Sequence, residues 1–546
     1  MSDASVAARG PIVFEGERGG TATSSRPALD VGFDMRSAIL FFGVLAVGLF
    51  FIAYSVYSDV IDSGVHTTTW LPYLLLGVAL FIALGFEFVN GFHDTANAVA
   101  TVIYTHSLPA HLAVVWSGVF NFLGVLASSG AVAYGIIALL PVELILQVGS
   151  SSGFAMVFAL LIGAILWNLG TWYLGLPASS SHTLIGSIIG VGLANQMMAS
   201  AGGASGVDWA QASKIGYSLL LSPLIGFSAS ALLLLVLKRV AHSPALYSEP
   251  KGVAPPPWWI RGVLILTCTG VSFAHGSNDG QKGMGLIMLI LIGVVPTAYA
   301  LNRALPDSEI QPFLATSTYA AEALDRGGRG ETSGDPRLVI GAYLRTGQAG
   351  PTVAPALAQL ARDIRSQVGQ HGSFRRLPAE SVQNVRNDMY LASEAIRRLT
   401  KNGSLTLDKA DADVLQVYRT ELDRATRFIP TWVKVAVAIA LGLGTMVGWK
   451  RIVVTVGEKI GKTHLTYAQG AAAELVAATT IAAADMYGLP VSTTQVLSSG
   501  VAGTMAANRS GLQLSTVRNM AMAWVLTLPV AILLSGSLFW TFSKLF

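Results

Sequence analysis

A cluster of polar side chains lies inside one of the long apolar segments of this chain, residues 71–104, and it restricts the fold more than any other feature. Its members are Glu87, Asn90, His93, Asp94 and Asn97. A charge at the centre of a lipid bilayer costs at least about 3 kcal/mol, so such side chains usually line a pathway or face a partner. We therefore predict a functional membrane helix that is interrupted at Gly91, because irregular backbone at that depth is tolerated only around a protein-lined cavity.

A second polar cluster repeats this pattern in the segment 272–285, which is also embedded in apolar sequence. The corresponding positions are Asn278 for His93, Asp279 for Asp94 and Lys282 for Asn97. The repetition predicts two related membrane helices, each with a buried aspartate, rather than one isolated polar site.

The composition supports a membrane location and excludes several classes of protein. The 546 residues are 52% hydrophobic and only 12% charged, with a mean hydropathy of +0.56, which is typical of a helical protein with many spans and not of a soluble enzyme. The net charge of +4 is small and no basic block indicates nucleic acid binding, so we expect the basic loops to face the lipid bilayer surface. The single cysteine, Cys268, permits no intrachain disulfide.

The apolar segments and the loops between them divide the chain into seven parts. The first four are a disordered tail at 1–36, an extra first span with its loop at 37–70, a first transport repeat at 71–237 and a basic cytoplasmic connector at 238–261. The last three are the start of a second repeat at 262–301, an inserted soluble helical domain at 302–429 and the rest of the second repeat at 430–546. Lysines and arginines in short loops favour the cytoplasm, which places the inserted domain on the extracytoplasmic side.

A second pair of segments supports a duplication of the membrane part. Gly175–Gly186 and Gly488–Ser499 share a Leu-Pro-x-Ser sequence, and each follows one apolar segment and starts another. The first pair of motifs is separated by 185 residues and the second by 313, and the difference of 128 equals the length of the inserted domain. We therefore predict an all-α polytopic membrane protein with two inverted-topology repeats of about five spans each, broken helices, one extra N-terminal span and the inserted soluble helical domain.

The Leu-Pro-x-Ser segments predict an anion site. A helix that begins with Ser or Thr presents unpaired backbone N–H groups, hydroxyl donors and a positive dipole end, and this combination suits a tetrahedral oxyanion. Two such helix starts from inverted halves can bind one anion from both sides. The candidate ligands are Ser179, Ser180, Ser181, Ser492, Thr493 and Thr494. The alternative is that these hydroxyls only pack or hydrogen-bond within membrane helices.

The two repeated aspartates, Asp94 and Asp279, are expected beside that anion site, either as cation ligands or as proton carriers. The alternative is a structural pair with Lys282 or with His93. Weaker candidates for the same roles are Glu87, Glu474 and Asp485. Histidines that we interpret as satisfied core residues are His182 and His275.

These residues together resemble the inorganic phosphate transporter (PiT) family, and especially its bacterial low-affinity members (Pit). The two polar clusters are similar to the family signature Gly-x-Asn-Asp-x-Ala-Asn-Ala, and the two Leu-Pro-x-Ser segments to its Pro-x-Ser-x-Thr-His motif. The resemblance implies a multi-pass protein of the bacterial inner membrane that imports inorganic phosphate by symport. The implied signature-site residues are Asp94, Asn97, Asn278 and Asp279, and the implied phosphate ligands are Ser179, Ser181, Ser492, Thr493 and Thr494.

Three positions depart from the sodium-driven members, in which the resemblance implies that signature residues surround sodium. His93 and Lys282 stand where that pattern has Asn, and Gln495 stands where the second motif has His. A lysine offers no acceptor to sodium, and it either neutralises a buried aspartate or binds phosphate directly. Histidine titrates near neutrality, so we predict proton-driven, sodium-independent uptake. Resemblance to the bacterial members also implies transport of phosphate as a neutral complex with a divalent metal.

Several alternatives stay open from the sequence. A transporter of sulfate or another tetrahedral oxyanion fits the same hydroxyls, a sodium-coupled phosphate symporter fits the paired aspartates, and an anion channel would need no coupling carboxylate. An enzyme is not predicted, because the adjacent Ser181 and His182 do not by sequence alone form a proper nucleophile–base pair. The predicted partners are phosphate, a divalent metal as its companion, protons and the lipid bilayer. No nucleic acid or cofactor is predicted, the identity of any protein-bound metal is left open, and so is a homo-oligomer.

Overall fold

The computed structural model describes residues 27, 29, 35–63, 70–146, 149–199, 207–250, 252–328, 334–405 and 407–545, without the side chains of 95–97, 142 and 143. The predicted tail at 1–36 therefore lies almost wholly outside the described residues, and so does the side chain of Asn97. The described residues are mostly α-helical and form no β-strand, apart from one isolated β-bridge between Gly461 and Leu512. The prediction of an all-α protein is confirmed.

The helices follow the order of the predicted segments. Before the basic connector they are α1 (Met35–Asp62), α2 (Leu71–Tyr104), α3 (Ala110–Ala127), α4 (Ala131–Ile137), α5 (Val142–Leu146), α6 (Ser151–Tyr173), α7 (Ser180–Met198) and α8 (Trp209–Val240). After it come α9 (Trp258–Val294) and α10 (Pro296–Tyr299), and within 302–429 α11 (Ile310–Gly327), α12 (Pro336–Thr346), α13 (Val353–His371), α14 (Ala379–Lys401) and α15 (Lys409–Thr426). The last helices are α16 (Thr431–Thr445), α17 (Lys450–Val454), α18 (Tyr467–Met486), α19 (Thr493–Ala507) and α20 (Leu514–Leu545).

Several of these helices can cross a membrane. By length and composition, six of the described helices qualify, namely α1, α2, α3, α6, α8 and α20. The number is seven if α15 and α16, which meet at an angle of 69°, form one bent span. Helix α1 is the most exposed of the six, and a cavity of about 660 Å³ separates it from α2. Aliphatic and aromatic side chains line that cavity, so it is suited to lipid rather than to an ion.

Helices α2 and α9 run without a break through both polar clusters. The prediction that Gly91 interrupts a membrane helix is therefore wrong. A Cβ atom at Gly91 would collide with the carbonyl oxygen of Leu441 in α16, and one at Gly276 with that of Asn121 in α3. These glycines thus permit close helix packing rather than a bend. The breaks lie instead at the two Leu-Pro-x-Ser segments, between α6 and α7 and between α18 and α19.

The helices of the two halves pack in a reciprocal pattern. Helix α2 contacts α16 while α9 contacts α3, and α7 contacts α20 while α19 contacts α8. In the same way α6 packs against α20 and α18 packs against α8. Helices α2 and α9 also contact each other, and α2 contacts both α7 and α19. Both polar clusters and both Leu-Pro-x-Ser segments therefore meet in one region of the protein.

Helices α11–α15 pack mainly on one another and bury their own apolar side chains, including Leu357 and Tyr418. Their apolar residues recur three and four positions apart, so each helix has one face that must be covered by a neighbour. This group also touches the membrane helices, because Arg397 of α14 forms an ion pair with Asp208 at 2.6 Å, immediately before α8. The inserted helices are thus held against one end of the membrane part.

Candidate functional site

The two Leu-Pro-x-Ser segments place the starts of α7 and α19 in the protein interior. Proline has a fixed φ angle and no N–H, which keeps these segments out of the preceding helix. Ser179 caps α7 by accepting a hydrogen bond from the His182 N–H at 3.1 Å, and Ser492 caps α19 by accepting one from the Gln495 N–H at 3.2 Å. All six predicted hydroxyl residues are buried. Both helix starts therefore direct partial positive charge into the buried interior of the protein.

Asp94 joins these two helix starts. Its Oδ2 accepts a hydrogen bond from Ser180 Oγ at 2.5 Å, and its Oδ1 accepts one from the Thr494 hydroxyl. His93 Nδ1 lies 3.3 Å from the same Oδ1, and the Asp94 residue is only 4% exposed. Two dipole ends and two hydroxyls from opposite halves of the chain thus converge on one carboxylate. The hydroxyls of Ser180 and Thr494 therefore donate to a carboxylate of the protein itself.

Asp279 holds the equivalent position on α9 but has different partners. Lys282 Nζ lies 2.6 Å from Asp279 Oδ2, and neither side chain is exposed. His275 Nε2 lies 3.5 Å from the same oxygen, while its Nδ1 lies 2.8 Å from Asn121 Oδ1. Removing one member of a buried ion pair leaves an uncompensated charge, so each of Asp279 and Lys282 holds the other in place.

The two aspartates approach each other closely enough to hold a cation. One ligand atom from each of Asp94, His275 and Asp279 lies within 4.8 Å of the others. Two carboxylates and an imidazole are ligands that suit divalent first-row metals. Lys282 already neutralises one of these carboxylates, so a metal here would compete with its ammonium group.

The interpretation of His275 as a satisfied core histidine is incomplete. Asn121 satisfies its Nδ1, but its Nε2 faces the aspartate cluster. The signal that could have found it is its spacing, because His275 precedes Asp279 by four residues and therefore shares a helix face with it.

Other predicted residues fix the segment before α19. Ser181 Oγ donates to the Val491 carbonyl oxygen at 2.6 Å, and Asn278 Nδ2 donates to the Leu489 carbonyl oxygen at 3.1 Å. Thr493 differs from them, because its hydroxyl is buried without a hydrogen-bond partner among the described residues. Thr493 is thus a donor that remains available to a ligand.

Three further buried or half-buried carboxylates accept hydrogen bonds from neutral donors. The groups are Glu474 with Thr101 and Thr267, Asp485 with Ser277 and Gln281, and Glu87 with Asn90. Apart from Asn90, which belongs to the first polar cluster, sequence reasoning missed these donors, because a lone Ser, Thr or Gln in an apolar segment has no spacing that marks its partner. In their described hydrogen bonds, these carboxylates touch neither helix start.

Comparison with known proteins identifies the family. The profile described as the phosphate transporter family matches residues 90–535, which include both Leu-Pro-x-Ser segments, the second polar cluster and all of the first polar cluster except Glu87. The chain belongs to the phosphate transporter family. The resemblance predicted from the motifs is confirmed.

Relatives of this family member are similar over nearly their whole length. It is 43% identical over 488 residues to the low-affinity inorganic phosphate transporter PitA of Escherichia coli strain K12, with 86% of this chain and 96% of PitA covered. It is 42% identical over 482 residues to PitB of the same strain, with the same coverage. A solved structure of a sodium-dependent phosphate transporter is 18% identical, with a TM-score of 0.48 and coverage of 87% of this chain and all of that one. Family membership and the apolar helices identify a multi-pass protein of the cell membrane, as predicted.

Proposed function

We propose that this chain imports inorganic phosphate by proton-coupled secondary active transport. The observation that carries the proposal is the bridge that Asp94 makes between the two helix starts through Ser180 and Thr494. PitA and PitB are both described as low-affinity inorganic phosphate transporters, which supports phosphate as the anion. The proposed substrate site is therefore the space between the starts of α7 and α19.

Asp94 and phosphate compete for the same donors. The hydroxyls of Ser180 and Thr494, which would bind an oxyanion, donate to the Asp94 carboxylate instead. A charged Asp94 also repels an anion placed beside it. Protonation removes that charge and weakens the hold of Asp94 on both hydroxyls, so a proton and phosphate bind together.

The rest of the proposed phosphate site comes from the first turns of α7 and α19. Their backbone N–H groups lack partners within the helix, and such helix starts bind phosphate oxygens. The free hydroxyl of Thr493 adds a donor. Ser179 and Ser492 act as caps that orient these N–H groups, and Ser181 and Asn278 hold the segment before α19 in place.

Lys282 supports protons rather than sodium as the coupling ion. Its ammonium group lies 2.6 Å from Asp279, where a sodium ion would otherwise neutralise the carboxylate, and it offers no lone pair to a metal. Asp279 is thus neutralised by the protein itself, and Asp94 remains as the carboxylate that changes charge. His93, at 3.3 Å from Asp94, is the adjacent group that delivers and removes the proton.

The architecture we propose for this transport is a pair of inverted repeats, with the inserted helices α11–α15 on the extracytoplasmic side. The reciprocal contacts support it, since α2 with α16 mirrors α9 with α3, and α7 with α20 mirrors α19 with α8. A two-fold axis in the membrane plane produces such pairs, and rocking of one half against the other exposes a central site to alternate sides.

A second form of the substrate is a neutral complex of phosphate with a divalent metal. The cluster of Asp94, His275 and Asp279 favours it, because their ligand atoms lie within 4.8 Å of one another beside the proposed phosphate site. The metal would then travel as cargo, and its charge would offset that of the anion. Uptake of a radiolabelled divalent cation that depends on phosphate, and phosphate uptake that depends on the cation, would identify this form.

The proposed function is tested with purified protein in proteoliposomes. We expect an inward proton gradient in choline buffer to drive accumulation of phosphate, a protonophore to abolish it, and an inward sodium gradient at equal pH to have no effect. Excess sulfate should leave phosphate uptake unchanged, which distinguishes phosphate from other tetrahedral oxyanions. Uptake that follows the sodium gradient and ignores the proton gradient would contradict the proposal.

A further inference from the structure

We propose that a second phosphate site lies between the inserted helices and the membrane helices, where it collects the anion before it reaches the central site. The identity of the anion rests on the proposed function. The site is a cavity of about 510 Å³ beside Gly488, the residue that begins the second Leu-Pro-x-Ser segment. An anion that leaves this cavity inward therefore meets the segment that leads into α19.

Cationic side chains from both parts of the protein line this cavity. They are Lys214 of α8, Arg397 of α14, Arg419 of α15 and Arg427. The carboxylate among the lining residues is Glu394 of α14. Counting only the side chains that line it, the cavity therefore carries more positive than negative charge.

One of these arginines is fully engaged by acidic groups. Arg397 lies 2.5 Å from Glu394 and 2.6 Å from Asp208. Burial raises the pKa of Glu394, but hydrogen bonds and charge from Arg397 and Arg398 together outweigh burial, and the net pKa lies below its ordinary value. This group therefore stays charged and joins α14 to α8, and we assign Arg397 to the scaffold of the cavity rather than to the anion.

The other cations are only partly neutralised. Asp423 is shared, with Arg427 Nε at 3.2 Å and Arg419 Nε at 3.9 Å. Arg419 Nε is buried without a hydrogen-bond partner, and Lys214 has no ion-pair partner, in the part of the chain that the structure describes. Two arginines thus share one carboxylate, and Lys214 adds a third positive charge to the cavity wall.

A buried arginine, Arg386, adds to the excess of positive charge beside the cavity. Arg386 of α14 is 5% exposed, and its Nε has no hydrogen-bond partner among the described residues. The charged and titratable groups that face it are Arg427, Tyr134 and Tyr390, and none of them is a carboxylate. It lines a smaller adjoining cavity together with Arg427, whose guanidinium lies 6.0 Å from the centre of the Tyr134 ring. A buried charge is costly unless it is paired, so an anion beside Arg427 completes this interface.

Phosphate fits these groups by chemistry. Guanidinium groups present forked N–H donors that match phosphate oxygens, and a cleft lined by one sign of charge raises both the local concentration and the association rate of the opposite ion by about ten-fold or more. The phosphate of an anionic lipid headgroup has the same chemistry, and we assign the cavity to free inorganic phosphate.

The test compares phosphate uptake by the full chain and its variants in proteoliposomes of zwitterionic lipid. We expect Arg419→Gln and Arg427→Gln each to raise KM for phosphate at least about threefold without changing the maximal rate, because they weaken collection and leave the central site intact. Arg427→Lys keeps the charge and should recover most of the affinity. The matched control is Arg362→Gln, which removes an arginine of the same insertion that pairs with Asp325 outside the cavity and should keep the wild-type KM.

Binding measurements separate the two sites. Protein with Ser180→Ala and Thr494→Ala should retain binding of radiolabelled inorganic phosphate at the cavity, and adding Arg427→Gln should abolish it. If the wild type transports phosphate normally and both arginine variants keep its KM, this inference is overturned and the proposed function still stands. Absence of phosphate transport by the wild type would instead overturn the proposed function. A KM effect seen only when phosphatidylglycerol is present would assign the cavity to a lipid headgroup and also overturn the inference.

Discussion

Asp94 and phosphate require the same two hydroxyls, and single substitutions can expose this competition. The Leu-Pro-x-Ser segments predict the six hydroxyl residues, and the two polar clusters predict the two aspartates. They do not predict which hydroxyls face the carboxylate, since that depends on how α7 and α19 are rotated. The structure distinguishes Ser180 and Thr494, which contact Asp94, from Ser179 and Ser492, which cap their helices. The interpretation of His275 as a satisfied core residue was incomplete for a different reason, because its four-residue spacing to Asp279 on α9 was overlooked.

At this scale we predict that Ser180→Ala and Thr494→Ala each weaken phosphate uptake. A lost hydrogen bond to a charged group costs about 1.5–3 kcal/mol, which corresponds to a rise in KM of roughly 10–150-fold. The matched control is Thr504→Ala, since that hydroxyl donates to the Val501 carbonyl oxygen within α19 and should leave KM unchanged. Initial rates of uptake over a range of phosphate concentrations measure the effect, with protein content in the membrane as a reference. Unchanged affinity in both variants would remove these hydroxyls from the phosphate site.

Among the helices, α2 and α9 show that the sequence predicts where a helix lies better than whether it is broken. Apolar length located α2 and α9 correctly, and the Leu-Pro-x-Ser segments located the starts of α7 and α19. The role of Gly91 was misjudged, because a glycine in a membrane helix can mark a bend or a close contact, and the neighbouring helix decides between them. Helix α16 passes so close to Gly91 that no side chain fits there.

We predict that Gly91→Ala destabilises the protein by about 1–3 kcal/mol, because the added methyl group forces α2 and α16 apart. Gly85→Ala in the same helix is the matched control, since a Cβ atom there meets nothing within 4 Å. That control should be neutral or stabilising by about 0.5–1 kcal/mol, because alanine favours the helix. The stability of the two purified variants is compared by heating each protein and measuring the loss of its monodisperse peak in size-exclusion chromatography. Equal stability of both variants would contradict the packing role of Gly91.

For the whole molecule, the spacing of the motifs indicated two halves, and the reciprocal helix contacts are consistent with that interpretation. The sequence predicts an insertion at 302–429, because its removal equalises the two motif spacings. It could not foresee the cationic cavity that the insertion forms with the membrane helices, since Lys214 and Arg427 come from segments distant in sequence. Such contacts form when the insertion packs against the membrane helices, and no periodic pattern in the sequence marks them.

Orientation is the prediction that belongs to this scale. A cysteine introduced as Gln348→Cys, in a chain that also carries Cys268→Ala, lies at an exposed position between α12 and α13. Because lysines and arginines in short loops favour the cytoplasm, we predict that the insertion lies outside and that this cysteine reacts with a membrane-impermeant thiol reagent in intact cells. The matched control is Ser248→Cys in the basic connector, also exposed, which should react only after lysis. The opposite labelling pattern would reverse the orientation.

The central claim is that Asp94 takes up a proton as phosphate binds between the two helix starts. Calorimetric titration of purified protein with phosphate, in buffers of different ionisation enthalpy at one pH, counts the protons taken up per phosphate bound. We predict that the wild type takes up about one proton more than Asp94→Asn, which mimics the protonated side chain and should bind phosphate without this uptake. Equal proton uptake by the two proteins, with phosphate bound by both, would contradict the account.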